Sequence, residues 1–229
     1  PAVRRPDDRV QAVKTSLREL KSAVAESLQR APIIAVVRHA DRAVAASQAR
    51  AFMRHGLEMI EVTFTVPGAT DLVRELLDLR PAGSTIRIGM GTVTTAARAR
   101  DAVAAGSEFL VTPNVSAAVA EIAHAEDLFL CMGGLSPSEL VAAHELGADL
   151  LKVYPLPPVG GPAYLSVVRQ PLGDLAPMLA GGGFGIEEIP AYRAAGAVAF
   201  GIGAPLLAPD EDATSRNIRH ALALARGGP

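Results

Sequence analysis

The string DLLKVYPL places Lys152 inside an otherwise apolar run, and MIEVTF does the same for Glu61. Side chains of an extended segment alternate between faces, so Leu150, Lys152 and Tyr154 share one face of their segment, and Glu61 and Thr63 share one face of theirs. Burying an ammonium is costly unless it is paired or becomes neutral, and desolvation lowers a lysine pKa by roughly 3–5 units in extreme cases. A neutral amine near pH 7 is the nucleophile that Schiff-base chemistry needs. A carboxylate among apolar neighbours also needs a partner. Lys152 is the obvious one, and such a pair exchanges protons as general acid and base. Two plainer readings stand beside this: a strand-end lysine that reaches solvent or sits in an ion pair, and a glutamate that only neutralises it.

Lysine usage adds weight. Of 22 basic residues only Lys14, Lys21 and Lys152 are lysine, the first two near the N-terminus, so the rest of the chain uses Arg wherever a surface cation would do. Arg38 follows the first apolar run and suits forked recognition of a carboxylate, with ion pairing at the rim as the alternative. Thr92, Pro113 and Asn114 follow the third and fourth runs. AGGGFG and FGIGAP bring Gly182, Gly183 and Gly203 into turns that either point backbone N–H groups at an anion or are ordinary tight turns. His39, His55, His124, His144 and His220 are scattered, and no Cys/His spacing resembles a metal site, so metal-dependent chemistry has little support.

These residues must be held by a parallel framework. Strands are expected at Ile33–Val37, Met59–Thr63, Ile86–Gly89, Phe109–Val111, Leu128–Cys131, Leu150–Val153, Met178–Ala180 and Val198–Gly201. Helices are expected between them, among others over Asp41–His55, Thr94–Ala105, Pro137–Leu146 and Ile186–Ala195, closed by Gly56, Gly106, Gly147 and Gly196. Eight β-then-α units in 229 residues favour a (β/α)8 TIM barrel over an open doubly wound sheet, and the first strand runs into VVRHADRA rather than a glycine fingerprint. Active sites of such barrels lie where the strands end at the C-terminal face, which is where the polar residues above collect. The hydrophobic fraction of 49% with 4% aromatics suits an Ala/Val/Leu/Ile core.

One domain over residues 1–229 is expected, with an N-terminal helical extension over 1–31 that is too charged for a signal peptide or membrane span. A net charge of -2 suggests neither nucleic acid nor an anionic membrane as partner. The single Cys131 excludes an intramolecular disulfide and makes the cytoplasm the natural compartment.

The strings EVTFTVPGA, GMGTV, LVTPN, LKVYP followed by GG and YL, and GGG with GIGAPLL occur in an order that resembles the 2-keto-3-deoxy-6-phosphogluconate aldolases. That family includes the phosphogalactonate and 4-hydroxy-2-oxoglutarate aldolases, and the likeness runs from about Pro32 to Leu207. The resemblance implies a Schiff-base lysine at Lys152 and a general acid/base at Glu61 acting with a water. It implies pyruvate-pocket residues at Thr92 and Pro113, an aromatic lid at Tyr154, and a homotrimer with no metal or organic cofactor. A small 2-keto acid such as pyruvate and an aldehyde are the implied partners.

Departures from the family pattern bear on the two ends of the substrate. Thr65 stands where the phosphogluconate enzymes carry Arg, whereas Arg38 matches the strand-one Arg of the phosphogalactonate relatives, so the carboxylate clamp is expected from Arg38 and Thr92. Gly181 replaces a usual Thr or Val, Met132 a usual Pro, and Ala204 a usual phosphate-binding Ser. Backbone amides at Gly182, Gly183 and Gly203 remain, but the lost hydroxyl removes a contact worth about 1.5–3 kcal/mol to a charged group. Two other functions fit the residues: a barrel isomerase or epimerase acting on a sugar phosphate with Glu61 as base, and a catalytically silent ligand-binding barrel.

Overall fold

The computed structural model describes residues 21–228. Helix α1 covers residues 21–30 there, and the first twenty residues of the expected extension lie outside the described residues. Strands and helices then alternate: β1 (Ile33–Val37), α2 (Arg42–Arg54), β2 (Met59–Thr63), α3 (Ala69–Leu79), β3 (Arg87–Gly91), α4 (Ala96–Ala104), β4 (Phe109–Val111) and α5 (Ala117–Ala125). The second half continues with β5 (Phe129–Gly134), α6 (Pro137–Glu145), β6 (Leu150–Val153), α7 (Pro162–Arg169), β7 (Met178–Gly181), α8 (Ile189–Ala194), β8 (Ala199–Ile202) and α9 (Glu211–Arg226). All neighbouring strands are parallel, and β8 closes onto β1 through Ile33↔Phe200 and Ala35↔Ile202. The expected (β/α)8 barrel is the one observed.

Local chemistry explains where the helices begin and end. Asp41 accepts from the N–H groups of Ala43 at 2.7 Å and Val44 at 3.1 Å, and Thr95 does the same for Arg98 at the start of α4. Ser136 and Glu139 form a reciprocal capping box at α6. Gly56, Gly106, Gly147 and Gly196 all have positive φ, as expected of residues that turn a helix back toward the next strand. The segment expected to be helical from Ile186 begins as a 3-10 turn over Ile186–Glu188.

Two strand ends differ from expectation by two residues or more, and the other shifts are of one residue. β3 runs on to Gly91 rather than ending at Gly89, and β5 runs on to Gly134 rather than ending at Cys131. In both cases glycines that read as punctuation are ladder residues, placed where neighbouring groups leave no room for a Cβ.

Alternation sorts the strand residues into two shells. Outward residues such as Ile33, Val37, Val62 and Leu151 pack with the helices. Inward residues Ile34, Met59, Phe109, Phe129 and Leu150 pack with Val24 and Leu28 of α1, which closes the N-terminal end of the barrel. Lys21 pairs with Asp149 at 2.8 Å and fixes α1 to the start of β6. Full burial of each such Leu or Phe contributes about 1.5–3 kcal/mol.

Candidate active site

Above that apolar floor the inward positions change character. Glu61 on β2 is 1% exposed, and Lys152 on β6 is half-buried. In the ladder Glu61 stands beside Gly89, and Lys152 lies between Gly133 of β5 and Leu179 of β7. Glycine makes the room they occupy. A Cβ on Gly91 would run into the Glu61 carboxylate, and one on Gly181 would lie 3.2 Å from Lys152 Cε. Gly133 admits the backbone of Pro113 in the same way.

The expected Lys152–Glu61 ion pair does not form. Glu61 Oε1 is buried without a hydrogen-bond partner, and the Lys152 Nζ lies over the Tyr154 ring, 5.2 Å from its centroid. The Lys152 nitrogen thus rests against the ring and faces the mouth cavity, which Glu61 does not line. Both charges nevertheless bear on Cys131 between them. Burial pushes its thiol up to about 12, opposed by the Lys152 charge and reinforced by Glu61 and Asp149. Cys131 is therefore a protonated, inert filler.

Arg38 emerges from β1 at the rim, where its Nη2 donates to Thr92 Oγ1 at 3.2 Å and its Nη1 to Thr65 Oγ1 at 3.4 Å. Thr65 in turn shares a 2.7 Å bond with Thr63, whose hydroxyl donates to the Val37 carbonyl at 3.0 Å. Thr92 has φ 60°, a left-handed conformation that a β-branched residue rarely adopts. Pro113 sits half-buried in the loop after β4, and Thr112 shapes that loop by donating to the Asn114 carbonyl at 2.6 Å and accepting from Gly133 N–H at 3.0 Å. Asn114 spends its amide on its own loop, donating to Val115 at 2.9 Å. The histidines lie on helices and loops away from the barrel interior, and no cluster of metal-ligating side chains occurs among the described residues.

A cavity of about 440 Å³ opens at this end, lined by Arg38, Lys152 and Tyr154 and by the loops after β7 and β8. Gly182, Gly183 and Gly203 line it; Glu61, Thr92 and Pro113 do not. The predicted residues thus fall on two sides of the mouth, with Arg38 bonded to Thr92 across the divide. Gly182 has φ 128°, and a Cβ there would press on Leu156 N at 2.9 Å, so the β7 loop lies hard against the β6 loop. The N–H of Gly185 is already taken by Glu188 at 2.7 Å. Arg38 and Lys152 are the cations in the lining, and the Lys152 side chain passes close to Gly181.

Sequence reasoning missed three contributors. Gly91 was legible in principle, since GMG alternates inward with Glu61 on the next strand. Thr65 and Arg98 carry no pattern of their own; only the folded loops bring them to Arg38 and Thr92.

Fold and interior together define a (β/α)8-barrel enzyme with a lysine inside its C-terminal mouth. The chain belongs to the KDPG and KHG aldolase family, whose model matches residues 24–219. It is 32% identical over 179 residues to the Probable 2-dehydro-3-deoxy-6-phosphogalactonate aldolase of Rhizobium meliloti, covering 78% of this chain and 82% of the relative. It is 30% identical to the 2-dehydro-3-deoxy-phosphogluconate aldolase of Treponema pallidum, covering 64% of this chain and 68% of that one. The structure of the 2-keto-3-deoxy-6-phosphogluconate aldolase of Zymomonas mobilis with 3-phosphoglycerate superposes with a TM-score of 0.77 at 25% identity, covering 92% of this chain and 98% of that chain.

Proposed function

We propose that this chain is a class I aldolase that reversibly cleaves a 2-keto-4-hydroxy acid, of the 2-keto-3-deoxy (phospho)sugar acid kind, into pyruvate and an aldehyde. The observation that carries the reading is Lys152: a half-buried amine with no ion pair among the described residues, opening into the mouth cavity above an unpartnered buried carboxylate. Lys152 Nζ attacks the C2 ketone to give a carbinolamine, and loss of water leaves a protonated imine. Removal of the C4 hydroxyl proton breaks the C3–C4 bond. Its electron pair enters the imine, the aldehyde departs, and the enamine takes a proton at C3 before water releases pyruvate and restores the amine.

Glu61 is the proton carrier. Its carboxylate and Lys152 are not paired directly, so a water or the substrate itself bridges them. Arg38 and Thr92 hold the pyruvyl carboxylate, Pro113 borders the same end, and Tyr154 covers the imine. Gly182, Gly183 and Gly203 face the far end of the substrate. No helix among the described residues is long and apolar enough to cross a membrane. A homotrimer of single barrels working in the cytoplasm, without metal or organic cofactor, completes the reading; the family resemblance supports it, and sedimentation equilibrium would count the chains.

Incubation with pyruvate and borohydride, followed by peptide mass spectrometry, tests the chemistry. A reduced pyruvyl adduct on Lys152 is expected. A folded protein with no adduct at that position overturns the proposal.

A further inference from the structure

Thr92 is held in its left-handed conformation from outside the barrel. Its carbonyl accepts from Arg98 Nη1 of α4 at 3.1 Å, and the same nitrogen donates to Thr94 Oγ1 at 2.9 Å. The other end of that peptide unit, the Val93 N–H, is anchored on Val111 of β4 at 3.2 Å. The preceding unit is held too, because the Gly91 carbonyl accepts from Phe64 N–H at 2.9 Å. Arg98 closes the set by stacking on Phe64, with its guanidinium carbon 5.3 Å from the ring centroid. Thr95 fixes the backbone of Arg98 by capping α4.

A β-branched residue in the left-handed region is strained and persists only where its surroundings over-determine it. The Val93 and Gly91 restraints are backbone bonds, whereas Arg98 supplies the side-chain bond to the Thr92 carbonyl and the stacking on Phe64. Their effect reaches the cavity through one atom: Thr92 Oγ1 accepts from Arg38 at 3.2 Å, and Arg38 is the rim cation of the mouth. Arg98 itself lines no part of that cavity.

We infer that Arg98 is a positioning residue for the substrate carboxylate. It sets the Thr92 peptide, which aims the Thr92 hydroxyl, which orients the Arg38 fork. The inference rests on the reading of Arg38 and Thr92 as the carboxylate clamp, and it adds a link on α4 that touches neither substrate nor Lys152. An interaction made equally with bound substrate and transition state changes KM and leaves kcat.

The test compares Arg98→Met with the wild type in borohydride trapping on Lys152, using pyruvate and, separately, acetone, a ketone with no carboxylate. Arg98→Met is expected to raise the half-saturating pyruvate concentration about tenfold, with acetone trapping unchanged and kcat for cleavage within about twofold. Arg98→Lys, which keeps a cation within reach of both oxygens, is expected to recover most of the loss. Unchanged pyruvate half-saturation overturns the inference. So does an equal fall for pyruvate and acetone, which marks general damage to the barrel and is checked by the thermal midpoint. Failure of the wild type to trap pyruvate at all is distinguishable from both, and removes the aldolase reading together with the clamp.

Discussion

The floor and the mouth of the barrel are made by the same strands, yet they turn different residues inward. At the floor β2, β4, β5 and β6 contribute Met59, Phe109, Phe129 and Leu150, all buried and sealed by Val24 and Leu28. One or two inward positions further along, the same sheet contributes Glu61, Gly91, Gly133 and Lys152, with Gly181 added from β7. Close-packed large side chains give stability, whereas glycines leave space in which an amine and a carboxylate are held without filling it. Stability and chemistry therefore reside in successive layers of one core.

That division is easiest to break from either side. Replacing Lys152 by Met removes the nucleophile while keeping a flexible apolar chain, so kcat should fall by about 10⁴–10⁶, as when a nucleophile is deleted elsewhere. The thermal midpoint should stay within a few degrees, and calorimetry beside a pyruvate-release assay checks both.

Phe109→Ala strikes the floor. It leaves a cavity against Gly89, whose missing Cβ the ring occupies, and costs about 3–5 kcal/mol. A fall of roughly 6–20 °C in Tm is expected for a chain of this length, with kcat/KM of the folded fraction little changed. A large loss of activity before unfolding would show that the two layers are coupled.

Cys131 lies on the boundary and yields the smallest effect. Its thiol is raised from the ordinary 9.0 to about 12, so the folded state favours the protonated form. Between those values the unfolded chain has lost a proton that the folded chain keeps, and stability must fall as pH rises. Alkaline denaturation should be shallower in Cys131→Ala above pH 9.0, where that linkage is absent.

Much of this was legible from period alone. Alternation in MIEVTF and LLKVY is enough to put Glu61 and Lys152 on the inner surface of a parallel barrel, and the post-helical glycines mark the returns. What misled was glycine inside a strand. The ends expected at Gly89 and Cys131 stop short of Gly91 and Gly134, and the close approach of Glu61, Phe109 and Pro113 shows why the ladder continues through glycine. The expected Lys152–Glu61 pair does not form because alternation fixes the direction of each side chain but not its reach, and Lys152 Nζ lies against the Tyr154 ring instead. Arg98 was out of sight because its bonds to Thr92 and Thr94 depend on loop conformation, to which hydrophobic period is blind.

The seal that α1 makes across the far end has a consequence for turnover. Among the described residues, Val24 and Leu28 packed against the floor shut the N-terminal end of the interior. The C-terminal mouth, where the Lys152 cavity opens, is then the end at which substrate and products pass. On the proposed mechanism the three-carbon fragment stays bonded to Lys152 after C3–C4 cleavage, so the aldehyde leaves first. On that reading pyruvate departs last and competes with the next substrate for the free lysine, while α1 leaves the mouth as the end both products share.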